Sequence, residues 1–303
     1  MNKEKFAGII PALYAPYDKE GQISPGAAKE FTRHLIKKGV KGLYVGGSSG
    51  ECIYQSVSER KQVLEAVMEE ARGEITVIAH VAANNTQDSC ALAAHAESLG
   101  VDAIAAIPPI YFRLPEHAIA AYWNEISKSA PDTDFIIYNI PQLAGVSLTP
   151  SLLREMLKNP RIIGVKNSSM PTMDIQTFLA IGGKNFVVFN GPDEQLAAGL
   201  AMGAIGGIGG TYGVMPELYI RIKELSDKGE VADAAELQLR ANEIIGALTS
   251  CRGNLYAVMK EIIRIRSGID LGGVRSPLPA LDPDDTPKLT EALRLIDSAI
   301  AEL

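Results

Sequence analysis

The chain has 303 residues, of which 47% are hydrophobic and 21% charged, with a formal net charge of -7. That length suits one large α/β domain with an extension, and the acidic balance disfavours nucleic acid and an anionic membrane surface as partners. Three cysteines, Cys52, Cys90 and Cys251, are widely spaced. They match neither a disulfide framework nor a CxxC pair and fit a reducing, cytoplasmic setting.

The first apolar run is interrupted by Pro11 and is too short for a signal segment or a membrane span, so no targeting segment is expected. Short β-branched and apolar runs then recur along the chain. They predict eight strands, near 8–12, 42–46, 75–81, 103–107, 134–139, 162–166, 186–190 and 204–208. Amphipathic stretches lie between them, such as 25–38, 56–72, 88–99 and 115–129. Strict alternation of strand and helix predicts a parallel sheet, and eight units of this size predict a closed (β/α)8 TIM barrel over residues 1–226. The pattern then turns purely helical at 217–228, 231–250, 255–266 and 287–301, with a proline-rich loop at 276–283. Residues 227–303 are therefore expected as a C-terminal helical extension, a cap or an oligomer contact.

In such a barrel the strand ends and following loops form the active face. The second strand runs into Gly46-Gly47-Ser48-Ser49-Gly50-Glu51, the fifth ends in Tyr138-Asn139-Ile140-Pro141 and the sixth in Lys166. Gly191-Pro192-Asp193-Glu194 follows the seventh, and Gly206-Gly207-Ile208-Gly209-Gly210 spans the eighth. An ammonium at the end of a buried strand is costly, which lowers its pKa and suits Lys166 to attack a carbonyl carbon. The alternative is a stem that packs while the head snorkels to water. Tyr138 could move a proton near that amine or simply pack on its strand.

The glycines around Ser48 and Ser49 allow tight turns whose N–H groups and hydroxyls could hold a small carboxylate, though such loops are also common turn material. Asp193 and Glu194 could grip a polyhydroxylated tail or complement a helix N-terminus. Glu51 reads as a buried acid bonded to loop amides. His34, His80, His95 and His117 form no HxH or HExxH, which argues against a histidine-built metal site. Each is expected at a helix surface or core edge. Neither Gly206–Gly210 nor Gly182-Gly183-Lys184-Asn185 fits a nucleotide-binding register.

Taken together, these motifs in this order resemble the pyruvate-dependent class I aldolases and lyases, the family that includes N-acetylneuraminate lyase and dihydrodipicolinate synthase. The resemblance spans nearly the whole chain. It implies that Lys166 forms a Schiff base with a 2-keto acid and Tyr138 transfers protons. It also implies that Ser48 and Ser49 bind the carboxylate, while Ser168, Gly191, Asp193, Glu194 and Ile208 line the substrate site. Tyr111 would complete a Ser–Tyr–Tyr relay in a neighbouring subunit of a homotetramer built as a dimer of dimers. No metal or organic cofactor is implied.

Leu143 replaces the arginine that dihydrodipicolinate synthases carry, so the resemblance favours cleavage of N-acetylneuraminate to pyruvate and N-acetylmannosamine. Ser168 and Gly210 depart from the threonine and serine common in those lyases. A 2-keto-3-deoxygluconate-type aldolase or dehydratase is therefore the alternative, and a non-catalytic keto-acid sensor is the alternative of another class.

Overall fold

The computed structural model describes residues 2–303. Eight parallel strands carry the fold: β1 (Ile9–Pro11), β2 (Gly42–Val45), β3 (Thr76–His80), β4 (Ala103–Ala106), β5 (Asp134–Asn139), β6 (Ile162–Asn167), β7 (Val187–Asn190) and β8 (Gly206–Gly209). Each lies within one residue of its expected bounds, except that β8 begins two residues later than 204. The order β1-β8-β7-β6-β5-β4-β3-β2 places every strand beside its sequence neighbours. At the seam a parallel bridge joins Ala12 to Tyr44, and the N–H of Leu13 donates to the Tyr44 carbonyl at 2.9 Å. These bonds close the sheet into the expected (β/α)8 barrel.

Side chains on a strand alternate between faces, and here one face fills the barrel while the other meets the helices. Ile10, Tyr44, Ile78, Ala105, Ile136, Tyr138, Phe189 and Ile208 pack inside. Leu43, Val45, Val77, Ile104, Ile137 and Val188 face the helical layer instead. Buried on both faces, the strands read as near-continuous apolar runs, as parallel strands do.

Helices α1 (Pro25–Lys37), α2 (Val57–Ala71), α3 (Thr86–Ser98) and α4 (Glu116–Lys128) fill the first gaps. The signals that start them are local. Ser24 caps α1 ahead of Pro25, and Ser56 with Glu59 forms a capping box at α2. The later gaps hold shorter helices: α5 (Pro141–Ala144), α6 (Pro150–Met156), α7 (Met173–Gly182) and α8 (Leu196–Ala201). Helix α9 (Pro216–Lys228) follows β8 and completes the outer layer, so the expected division after residue 226 falls inside its last turn.

Three helices complete the chain: α10 (Val231–Thr249), α11 (Leu255–Ser267) and α12 (Thr286–Ala301). Among the described residues no helix is long and apolar enough to cross a membrane.

Candidate active site

Tyr138 on β5 and Lys166 on β6 are register partners, and Lys166 in turn opposes Phe189 on β7. Both point into the barrel near the C-terminal ends of their strands, and Lys166 is 4% exposed. Its Nζ lies 3.9 Å from the centroid of the Tyr138 ring and 4.2 Å from that of Tyr44. Burial pushes this amine from its ordinary 10.5 down to about 7, with Asp193 opposing by favouring the charged form. The snorkelling alternative is excluded by this placement, because the head group sits between two aromatic rings inside the barrel.

Burial likewise raises the Tyr138 phenol to about 12, although the hydroxyls of Ser168 and Ser48 beside it favour the phenolate. Tyr138 therefore keeps its proton at neutral pH and can pass one on only as it receives another. Ser48 and Ser49 lie in the loop after β2, where Gly46 turns the chain at φ 75, a conformation that favours glycine. The loop is tightened by the N–H of Gly50 donating to the Gly47 carbonyl at 3.1 Å and that of Glu51 to the Ser48 carbonyl at 3.0 Å.

The remaining expected residues share one cleft of about 270 Å³ with these groups: Ser168, Gly191, Asp193, Glu194 and Ile208. At Gly191 a Cβ would stand 2.0 Å from the Ser168 hydroxyl, so a side chain there would displace it. Asp193 divides its duties. Its carboxylate accepts from both the N–H and the hydroxyl of Thr211 at 2.6 Å, which anchors the turn after β8. Burial nevertheless raises its pKa to about 6, with those Thr211 bonds opposing. Glu194 is exposed on the cleft wall.

Tyr111 is not among the residues of this cleft. It is 91% exposed, beside Phe112 at 70%, and its backbone is left-handed at φ 77. Glu51 is buried as expected but bonds elsewhere than expected. Its carboxylate accepts hydrogen bonds from Lys260 Nζ at 2.8 Å and from the backbone N–H of Arg275 at 2.9 Å, both far along the chain.

His80 departs from the core-edge expectation, for it stands inside the barrel end with its rings stacked edgewise on Tyr138. Burial lowers its pKa to about 3, so the ring is neutral. Its Nδ1 bonds the Gly46 carbonyl at 2.9 Å and Nε2 accepts from the Ile107 N–H at 3.4 Å, which fixes the tautomer.

Several site residues escaped the sequence reading. Tyr44 was findable, since Leu43 and Val45 on either side are apolar and alternation turns the residue between them inward. Tyr256, Met259, Ile245 and Thr249 also line the cleft. They come from α10 and α11, so the extension forms a wall of the site. Only tertiary structure reveals this.

A barrel that presents a desolvated lysine and a buried phenol on adjacent strand ends, beside a glycine–serine loop, has the site of an aldolase-type lyase. The chain belongs to the dihydrodipicolinate synthetase family, which it matches over residues 5–296. It is 60% identical to an N-acetylneuraminate lyase of Mediterraneibacter gnavus, over 98% of this chain and 95% of that protein. It is 34% identical to the N-acetylneuraminate lyase of Salmonella typhimurium over 93% of this chain and 94% of that one. The structure of a Ruminococcus gnavus sialic acid aldolase bearing a mutation of its catalytic lysine superposes with a TM-score of 0.98 at 59% identity, covering 99% of both chains. The protein is an enzyme of the carbon–carbon lyase class.

Proposed function

We propose that this enzyme cleaves N-acetylneuraminate reversibly to pyruvate and N-acetylmannosamine through a Schiff base on Lys166. The observation that carries the reading is the Lys166 amine itself. It is buried, held near a pKa of about 7, and paired in register with the Tyr138 phenol. The names borne by relatives at high identity supply the substrate.

In this scheme the neutral amine attacks the C2 ketone, water leaves, and a protonated imine forms. Tyr138 takes the C4 hydroxyl proton while passing its own to Ser48 or to the substrate carboxylate, as its high pKa requires. The C3–C4 electrons then flow into the imine, releasing the aldehyde and leaving an enamine. Protonation at C3 and hydrolysis return pyruvate and the free lysine. Ser48 and Ser49 hold the carboxylate, while Asp193 and Glu194 face the hydroxylated tail.

Tyr111 and Phe112 are exposed with ring centroids 4.9 Å apart, an apolar pair of the kind that a protein–protein contact buries. A homotetramer of paired dimers would bring Tyr111 to a second copy's relay. Free cysteines at 52, 90 and 251 fit a cytoplasmic location.

The test is reductive trapping. Cyanoborohydride with pyruvate should leave a reduced adduct on Lys166 in a peptide digest, and an unmodified Lys166 under saturating pyruvate would refute the mechanism. Pyruvate release from N-acetylneuraminate, set beside 2-keto-3-deoxygluconate, tests the substrate. Faster release from the latter would transfer the enzyme to the 2-keto-3-deoxy sugar acids.

A further inference from the structure

The ion pair between Glu51 and Lys260 is sealed from water, with side chains 0% and 1% exposed and 2.8 Å between Nζ and Oε1. Removing two charges from water costs several kcal/mol per ion before their attraction is counted, and the chemistry above uses neither group. The pair joins two segments that both border the carboxylate end of the cleft. Glu51 closes the glycine–serine loop, and its own backbone is left-handed at φ 51. A non-glycine residue holds that conformation only where its surroundings over-determine it.

The surroundings are the C-terminal extension. Lys260 also donates to the Gly273 carbonyl at 2.6 Å, and the Arg275 N–H donates to the second oxygen of Glu51. The Arg275 guanidinium reaches past it to the Tyr54 carbonyl at 2.9 Å and to Glu59. Both cations lie against the ring of Tyr17, at 4.6 and 4.5 Å. One turn earlier on α11, Tyr256 lines the same cleft as Ser48 and Ser49. Residues four apart share a helix face, so a single face of α11 carries both the cation that holds Glu51 and a phenol of the cleft wall.

We propose that the Glu51–Lys260–Arg275 clasp is a positioning device for the substrate carboxylate, fixing Ser48 and Ser49 and seating the α11 wall of the cleft beside them. The inference rests on the reading of pyruvate bound as a Schiff base. No proton or electron moves in the clasp, which acts only through the loop it holds. Its effect is therefore confined to ligands that carry the carboxylate.

Two ketones separate this role from a general support of the fold: pyruvate, and hydroxyacetone, which has no carboxylate. Cyanoborohydride trapping on Lys166 is followed by mass spectrometry as each concentration is varied. In Lys260→Met the half-saturating pyruvate concentration rises about tenfold, the weight of one hydrogen bond to a charged group. The hydroxyacetone dependence stays at the wild-type value, and Lys260→Arg restores pyruvate. Should Lys260→Met fail to fold, the double variant Glu51→Gln/Lys260→Met leaves no unpaired charge and carries the same expectation.

A wild-type pyruvate dependence in a folded variant overturns the proposal, as does an equal loss for both ketones. Wild-type enzyme that forms no pyruvate adduct defeats the Schiff-base reading instead, so the two failures are distinct.

Discussion

Lys166 and Lys260 are buried almost equally, at 4% and 2% exposure, and each has its pKa lowered first by desolvation. Their surroundings then diverge. Lys260 meets a carboxylate and a carbonyl at hydrogen-bond distance, whereas Lys166 meets the faces of two aromatic rings. A ring face attracts a cation far less than a carboxylate does at that depth. The comparison teaches that burial alone does not make an amine reactive. The absence of a full counter-charge beside it does, because only then is the neutral, nucleophilic form within reach near pH 7.

Replacing each lysine separates the two roles. Lys166→Ala should lower pyruvate release roughly 10,000-fold or more, the scale seen when a nucleophile is removed, while thermal unfolding shows no loss of stability. A folded Lys166→Ala enzyme that retains turnover would collapse the contrast. Tyr138→Phe should cost about 100- to 10,000-fold in turnover, with the pyruvate adduct on Lys166 still trapped, because imine formation precedes the step that the phenol serves.

Lys260→Ala sharpens the other side. It leaves the Glu51 carboxylate buried without its cation, which should destabilise the fold by about 3–5 kcal/mol in a denaturant titration. A loss within the range of a surface substitution would mean that water reaches Glu51.

The last expectation is a pH dependence. Lys166 has a folded pKa below its ordinary value, so between pH 7 and 10.5 the unfolded chain binds a proton that the native chain does not. Stability should therefore rise with pH across that window and level off below about 7. In Lys166→Met this contribution disappears, visible as the difference between the two proteins' melting temperatures over pH 7 to 10. The rate of adduct formation at low pyruvate should rise through pH 7 in parallel.

Much of this was legible along the chain because the signals are local. Most strands are short apolar runs punctuated by glycine, proline or a polar residue, and Tyr138 and Lys166 announce themselves as polar groups at the exits of such runs. The first three helices carry their own side-chain caps, Ser24, Ser56 and Asn85. Helix α8, with only six residues of sequence LAAGLA, offers little pattern to read.

The long-range pairings could not be read in advance. The partner of Glu51 lies 209 residues away, and nothing near either residue marks the match. His80 illustrates the same limit, since a histidine ending an apolar strand can face either layer. Its inward direction is set by the strand's register against Ala105 on β4.

The wall contributed by α10 and α11 has a consequence for how the enzyme comes into being. A growing polypeptide that has emerged as far as Gly229 already owns the nucleophile, the phenol and the serine turn. Thr249, Tyr256 and Met259 are still to be made, so one side of the binding cavity stands open to solvent. The groups proposed for the chemistry thus precede, in order of synthesis, the residues that wall the cleft on this side.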